Sequence, residues 1–462
     1  MRFCKQASNE SRSSHRGLAG LSSLLTQSLG LSLMVFLSNG ISFAHDMVPG
    51  IKQHRPIALR GGTIYTVSGE TIASGTLLFE EGKIVALGTK VAIPQDCQVI
   101  DIEGKHVYPG LISSNSTLGL VEINAVRATR DLAEPGPFNP NVRAEVAVNP
   151  DSELIPVTRA NGVLVAHVTP LTGQGGLIAG SSAVMALDGW TREEMTLKAP
   201  CGIFIRWPNP PREPAFHPGS RVVYNATKQE ERYQEQVDKL KGAFEDARAF
   251  QEAQASGVKA LDVDLRWEAL IPVLKRERPL FVIATRIRQI RDAIHWATQE
   301  DLKLILVGGA DTWRAVDLLK KHEISVIVSQ VNALPARRWE SYDTAFLNPL
   351  KLYEAGIEFA IAYGGSGPNE RNLPYEAGKA VAHGLPPAEA LKAVTLYPAR
   401  ILGVDDRLGS LEVGKDATLI VTTGDPLDIR TQVERAYIEG RSVDLSSRHT
   451  QLYEKYQKKY ER

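Results

Sequence analysis

Between residues 162 and 362 the chain alternates short apolar runs with helical patterns, and nothing else in it narrows the possible folds so far. The runs are Gly162–Thr169, Gly202–Trp207, Leu280–Thr285, Leu302–Val307, Ser325–Ser329 and Glu358–Ala362. Between the later ones, Ile287–Gln299, Thr312–His322 and Pro349–Ala355 carry helical periodicity. Strand–helix alternation at this spacing is the pattern of parallel βα units. Roughly 290 residues of them suit an α/β fold of the (β/α)8 TIM-like barrel type. A doubly wound open sheet is the structural alternative, but no GxGxxG follows a first strand. The loop at Gln174-Gly175-Gly176 lacks the Lys-Ser/Thr of a phosphate cradle and reads as an ordinary turn.

Two β-rich segments flank this stretch. Pro56–Asp101 reads as short strands with β-branched alternation and Gly-Gly and Glu-Gly turns; Leu408–Asp425 and the following VERAYIEGRSVD are again strand–turn–strand material. One long helix stands apart, predicted over Thr227–Ser256. Thr227 and Glu230 form a capping-box pair, and Tyr233, Val237, Leu240, Phe244, Ala247 and Phe250 recur at spacings of three and four. Its other face is densely charged, as on an outer helix facing solvent.

Composition removes several classes of function. The chain has 462 residues, 43% hydrophobic and 23% charged, with 53 basic against 53 acidic side chains. That balance gives no electrostatic footprint for nucleic acid. Cys4, Cys97 and Cys201 have no metal-like or disulfide-framework spacing. The N-terminus has export character: Arg2, Lys5, Arg12 and Arg16 precede the apolar Leu29–Ile41, which ends in Ser42-Phe43-Ala44. Cleavage after Ala44 leaves 49 basic and 52 acidic residues, a mature charge of −3. The long basic region keeps an uncleaved anchor or a misassigned start open. Ser32, Ser38 and Asn39 interrupt the apolar run, which argues against a permanent span of about 20 apolar residues. The expectation is a periplasmic or extracellular protein with no stable membrane span after leader cleavage.

Val107–Leu120 reads VYPGLISSNSTLGL, and it resembles the first barrel strand of the amidohydrolase superfamily, PGLIDxHxHLG. Asn372–Asp428, with GLPPAEAL, TLYPARILG and GSLEVGKDATLIV in that order, is similar to imidazolonepropionase-like members. The resemblance implies a metal-dependent barrel and a composite β-sandwich formed from both chain ends. The boundaries expected are a signal peptide at 1–44, sandwich parts at 56–108 and 406–444, a barrel at 109–405 and a helical tail at 445–462.

The resemblance also implies where a metal would be held, and those positions lack its ligands. The Asp of the first strand falls on Ser113 and its two His on Asn115 and Thr117. Later family His positions fall on Ile283 and Ala310, and the family Asp on Gly365. Ile, Ala and Gly supply no side-chain ligand, and Asn and Thr only weak neutral oxygens. A one-residue shift of alignment is expected to bring no His or Asp to these strand ends, so no zinc site of the family design is expected. His167, on a barrel strand, reads first as a packing histidine and second as the candidate acid/base; Arg206 and Arg286, at strand ends, read first as partners of carboxylates and second as groups orienting an anionic ligand. Glu122 and Arg130 are candidates to cover a polar, neutral mouth. Three functions follow: a diverged hydrolase of non-peptide carbon–nitrogen bonds, a non-catalytic exported barrel binding a small molecule, or a structural partner of an active amidohydrolase-like paralogue. A homo-oligomer is the alternative to that last pairing.

Overall fold

The computed structural model describes residues 48–211, 225–257, 262–365 and 367–461; the expected leader lies outside them. Five strands open the described chain: β1 (Ile57–Tyr65), β2 (Thr71–Glu80), β3 (Lys83–Gly88), β4 (Gln98–Asp101) and β5 (His106–Pro109). Glu81 and Gly82 both take positive φ and turn β2 into β3, as their Glu-Gly sequence predicts. Gly61-Gly62 does not form a turn. The pair lies inside β1 at a register shift, where a Cβ on Gly62 would sit 2.6 Å from Ile102 Cδ1. Close approach, rather than chain reversal, explains these glycines.

The middle of the chain supplies β6 (Leu111–Ser116), β7 (Val163–Val168), β8 (Ile178–Ser181), β9 (Ala183–Ala186), β10 (Thr196–Lys198) and β11 (Ile203–Arg206). It continues with β12 (Leu280–Ala284), β13 (Leu304–Gly308), β14 (Val326–Ser329) and β15 (Phe359–Ala362). Each apolar run named from sequence coincides with one of these strands, with β13 running one residue beyond Leu302–Val307. From β11 to β15 every ladder is parallel, as is β6 with β7. The stretch Ile178–Ala186 departs from this. Its β9 part pairs antiparallel with β7 and its β8 part antiparallel with β11. The connection Thr169–Leu177 has no helix and is shorter than the dozen or so residues a parallel crossover needs, so the chain returns in the opposite sense.

Alternate residues of these strands enter different cores. Leu280, Val282, Leu304, Leu306 and Val326 pack with helix residues such as Ile290, Ile294 and Leu319. Phe281, Ile305, Val307 and Ile327 join Ile112, Val165 and Phe204 in a second cluster. Strands buried on both faces explain why they read as unbroken apolar runs. The outer strands β6 and β15 come together at a seam. Ile112 N–H donates to Val394 O (2.8 Å), Ile361 N–H to Ala393 O (2.9 Å), and Gly365 N–H to Asn115 O (3.2 Å).

Three strands close the described sheet structure: β16 (Leu419–Thr422), β17 (Val433–Ile438) and β18 (Arg441–Val443). They join the first five in one sheet, ordered β18-β17-β16-β5-β1-β2-β3 with β4 on β1. The join is the antiparallel pair β16–β5, with Leu419 opposite Pro109. Leu59, Leu77, Phe79, Val107, Leu419 and Tyr437 form its core.

The long helix spans Ala226–Ala255 and buries the six residues of the predicted stripe. Its cap is Asn225, whose Oδ1 accepts from Lys228 N–H at 2.9 Å, and not the expected Thr227. Glu230 is instead paired with Arg288. The helix expected from Pro349 begins earlier, at Thr344, with the proline inside it. The tail forms the helix Arg448–Tyr460, which buries no residue.

Candidate functional site

At the end of β6, the three polar positions are buried and occupied. Ser113 Oγ donates to Glu370 Oε2 at 2.6 Å. Asn115 Oδ1 accepts from Thr169 Oγ1 at 2.9 Å. Thr117 Oγ1 donates to Gly365 O (3.0 Å) and accepts from Gly367 N–H (3.2 Å). Sequence reasoning put these side chains on an open mouth. Instead Ser113 and Thr117 tie β6 to the segment after β15, and Asn115 ties it to Thr169 at the end of β7.

The remaining candidate positions are Ile283, Gly365 and Ala310. Ile283 packs against the inner cluster of Phe204 and Phe281. Gly365 holds φ +76°, a backbone state that favours glycine. Ala310 borders a cavity of about 130 Å³ beside the ends of β12–β14. The carboxylate of Asp311 stands next to Ala310 in sequence, which corrects the expectation of no acidic residue there. Asp311 accepts from Ile287 N–H at 2.9 Å and from both terminal nitrogens of Arg337, at 2.8 and 2.5 Å. Burial raises its pKa, but the Arg337 hydrogen bonds and the Ile287 N–H outweigh it and leave the net shift downward. Arg337 also binds Glu340, whose Oε2 accepts from the Arg337 N–H at 3.0 Å. Among the described residues, no three His, Cys, Asp or Glu side chains gather into a group able to hold a metal ion.

His167 is fully buried, between Phe281 (ring centroids 4.9 Å) and Phe204 (5.5 Å). Its Nδ1 lies 2.9 Å from Ser114 O and its Nε2 2.7 Å from Ser182 Oγ. A carbonyl only accepts, so Nδ1 carries the proton and Nε2 accepts from the serine hydroxyl. Burial pushes its pKa down to about 4. Both nitrogens are bonded inside the core, so the ring braces β7 against Ser114 of β6 and against Ser182 between β8 and β9.

The arginines differ from one another. Arg206 is half-buried, its Nε donating to Thr172 Oγ1 at 3.0 Å, and burial lowers its pKa. Arg286 caps the helix Ile287–Gln299 through its backbone, donating its N–H to Gln289 Oε1 at 3.1 Å. Arg130 is exposed, in a loop where it pairs by backbone with Val121. Glu122 is half-buried, with a carboxylate oxygen that is shielded and has no hydrogen-bond partner.

Glu370 escaped the sequence reading altogether. It lies in a short 3-10 turn, Gly367–Asn372, and is completely buried. Burial raises its carboxyl to about 8 against the hydrogen bonds from Ser113 and Ser116, and its Oε1 has no partner. Nothing in the run Pro368-Asn369-Glu370-Arg371-Asn372 signals this, since such a polar run reads as a solvated loop.

Residues 305–447 match the model of the amidohydrolase family. Among curated proteins, amidohydrolase tasK of Hapsidospora irregularis is 24% identical over 416 residues, 79% of this chain and 39% of that protein. N-acetylglucosamine-6-phosphate deacetylase of Haemophilus influenzae is 59% identical over 39 residues, 8% of this chain and 10% of that one. The chain thus spans less than two-fifths of the length of the curated relatives it matches. An amidohydrolase structure from Thermotoga maritima MSB8 superposes with a TM-score of 0.73 at 24% identity, covering 84% of this chain and 99% of that one. A prolidase complexed with N-methylphosphonate-L-proline superposes at 0.52 and 17%, covering 84% and 99%. At these identities the structural likeness is one of fold.

Proposed function

We propose that this chain is a member of the amidohydrolase family that does without the family's metal and uses its strand ends to bind a small molecule. In this reading β6 to β15 form a closed (β/α)8 barrel with one reversed strand, and the sheet shared by both chain ends is part of a composite sandwich. The seam between β6 and β15 and the pairing of β16 with β5 support that architecture.

One observation carries the functional reading. The positions where the family places metal ligands hold Asn115, Thr117, Ile283, Ala310 and Gly365, and the Asn115 and Thr117 side-chain oxygens are spent on internal hydrogen bonds. A zinc site needs imidazole, thiolate or carboxylate donors with one position open to water, and this donor set does not fit. Asp311 is the nearest acid in sequence, and Arg337 neutralises it. The metal of such a barrel supplies hydroxide at neutral pH; no step of that kind is assigned to this chain. The test is metal analysis of the purified full chain after dialysis against zinc. Far less than stoichiometric metal is expected, and about one tightly held zinc per chain overturns the reading.

A second reading, metal-independent hydrolysis of carbon–nitrogen bonds, rests on Glu122 and its unpartnered oxygen. It requires turnover of an amide, lactam or lactone panel that Glu122→Gln abolishes. The basic and then apolar N-terminus supports export to the periplasm or beyond. Association with an active paralogue fits a barrel that keeps the scaffold without the metal.

A further inference from the structure

We propose that the cavity beside the ends of β12–β14 is a binding site for an uncharged molecule of about six non-hydrogen atoms, with one hydrogen-bonding end and an apolar body. The inference deepens the function proposed above and rests on its uncharged, metal-free strand ends. Three observations lead to it.

The first is size. The cavity measures about 130 Å³, close to the ~150 Å³ of a protein cavity that admits benzene. The second is an unsatisfied group. The half-buried Ser329 lines the cavity, and its Oγ is shielded from solvent and has no hydrogen-bond partner. A buried hydroxyl left unpaired is costly, and native proteins seldom retain one without a use. Beside it, Gln330 holds φ +59° and lines the same space. A non-glycine residue in that backbone state marks a position held by its surroundings. Serine and glutamine side chains each both donate and accept, so together they suit the polar end of a neutral ligand.

The third observation is charge. The two acids on the cavity wall, Asp311 and Glu340, are both bound by Arg337. An anion entering would meet these carboxylates, and a cation would have to compete with Arg337 for them. Either would lose its hydration without an unpaired counter-charge among the described lining residues, an arrangement that disfavours ions. Much of the remaining wall is small and apolar, with Val328, Ala333, Leu334, Pro335 and Ala345, while Thr285, Thr344 and Asn348 add uncharged polar groups. Leu334 is 90% exposed at the rim, so its side chain has apolar surface to lend to a ligand.

Three molecules of nearly the same shape test the proposal: isobutyramide, isobutyrate and isobutyramidinium, titrated into the full chain by ligand-observed NMR. Isobutyramide is expected to bind at least tenfold more tightly than either ion. Ser329→Ala should weaken it about tenfold, and Ala345→Leu, which fills the cavity, should abolish it with little change in melting temperature. Equal binding of the three probes, no binding of the amide, or full affinity in both variants overturns the proposal. Metal content measured on the same samples keeps the two conclusions apart. A zinc-loaded protein that binds the amide sinks the metal-free reading alone, and a metal-free protein that ignores the amide sinks only the cavity.

Discussion

Glu370, which the sequence did not reveal, and His167, which it placed on a barrel strand, are both buried titratable groups, and together they set how the protein should respond to pH. Glu370 is raised from 4.5 to about 8, so the folded chain holds a proton that the unfolded chain releases. Its contribution is whole below pH 4.5 and is lost as pH rises through 8. His167 is lowered from 6.5 to about 4, so the folded ring stays neutral where the unfolded one is charged. Its contribution is whole above 6.5 and is lost as pH falls through 4. Between 4.5 and 6.5 the two slopes oppose each other, so these groups favour a stability maximum in mildly acidic solution. At ~1.4 kcal/mol per unit, the Glu370 window carries on the order of 3–5 kcal/mol. Urea unfolding of Glu370→Gln between pH 5 and 9 should lose the alkaline decline and keep the acidic one. A variant that still weakens toward pH 8 as the native chain does would remove Glu370 as the cause.

Among the elements, the long helix shows where sequence patterns inform and where they stop. Its buried stripe was legible because apolar spacing follows directly from helical geometry. Its start was not, because Thr227 and Asn225 are both good caps, and only the backbone path decides which is used. Asn225→Ala should cost ~1 kcal/mol by urea titration, and Thr227→Ala a few tenths; the reverse order would restore the expected cap. The reversed strand β8–β9 has a similar lesson. Its residues are as apolar as those of its parallel neighbours, so direction was readable only from the short connection before it. Gly61-Gly62 was misread as a turn for the same reason, since a bulge and a turn both ask for glycine.

At the scale of the whole molecule, the strand series and the shared end sheet were legible, because they rest on runs of many residues whose patterns reinforce one another. The site was legible only in part. Bare positions such as Ile283 and Ala310 can be read from residue type, but the company kept by Ser113, Glu370, Asp311 and Arg337 depends on contacts across long stretches of chain. The terminal helix belongs to this scale too, since it buries nothing. Ending the chain after Ser447 should move the melting temperature by less than about 2 °C, whereas a larger drop would show that the helix docks where exposure says it does not.

The seam has a consequence in time. Ile112 finds its acceptor on Val394, roughly 280 residues later, and at ~5–20 residues per second of synthesis that is a wait on the order of tens of seconds. Until then one side of β6 is an unpaired strand edge, the kind of surface through which half-made chains adhere to each other. For this protein the vulnerable moment comes before the chain is finished, and a chaperone that shields β6 on the ribosome meets the need better than one that acts on the released product.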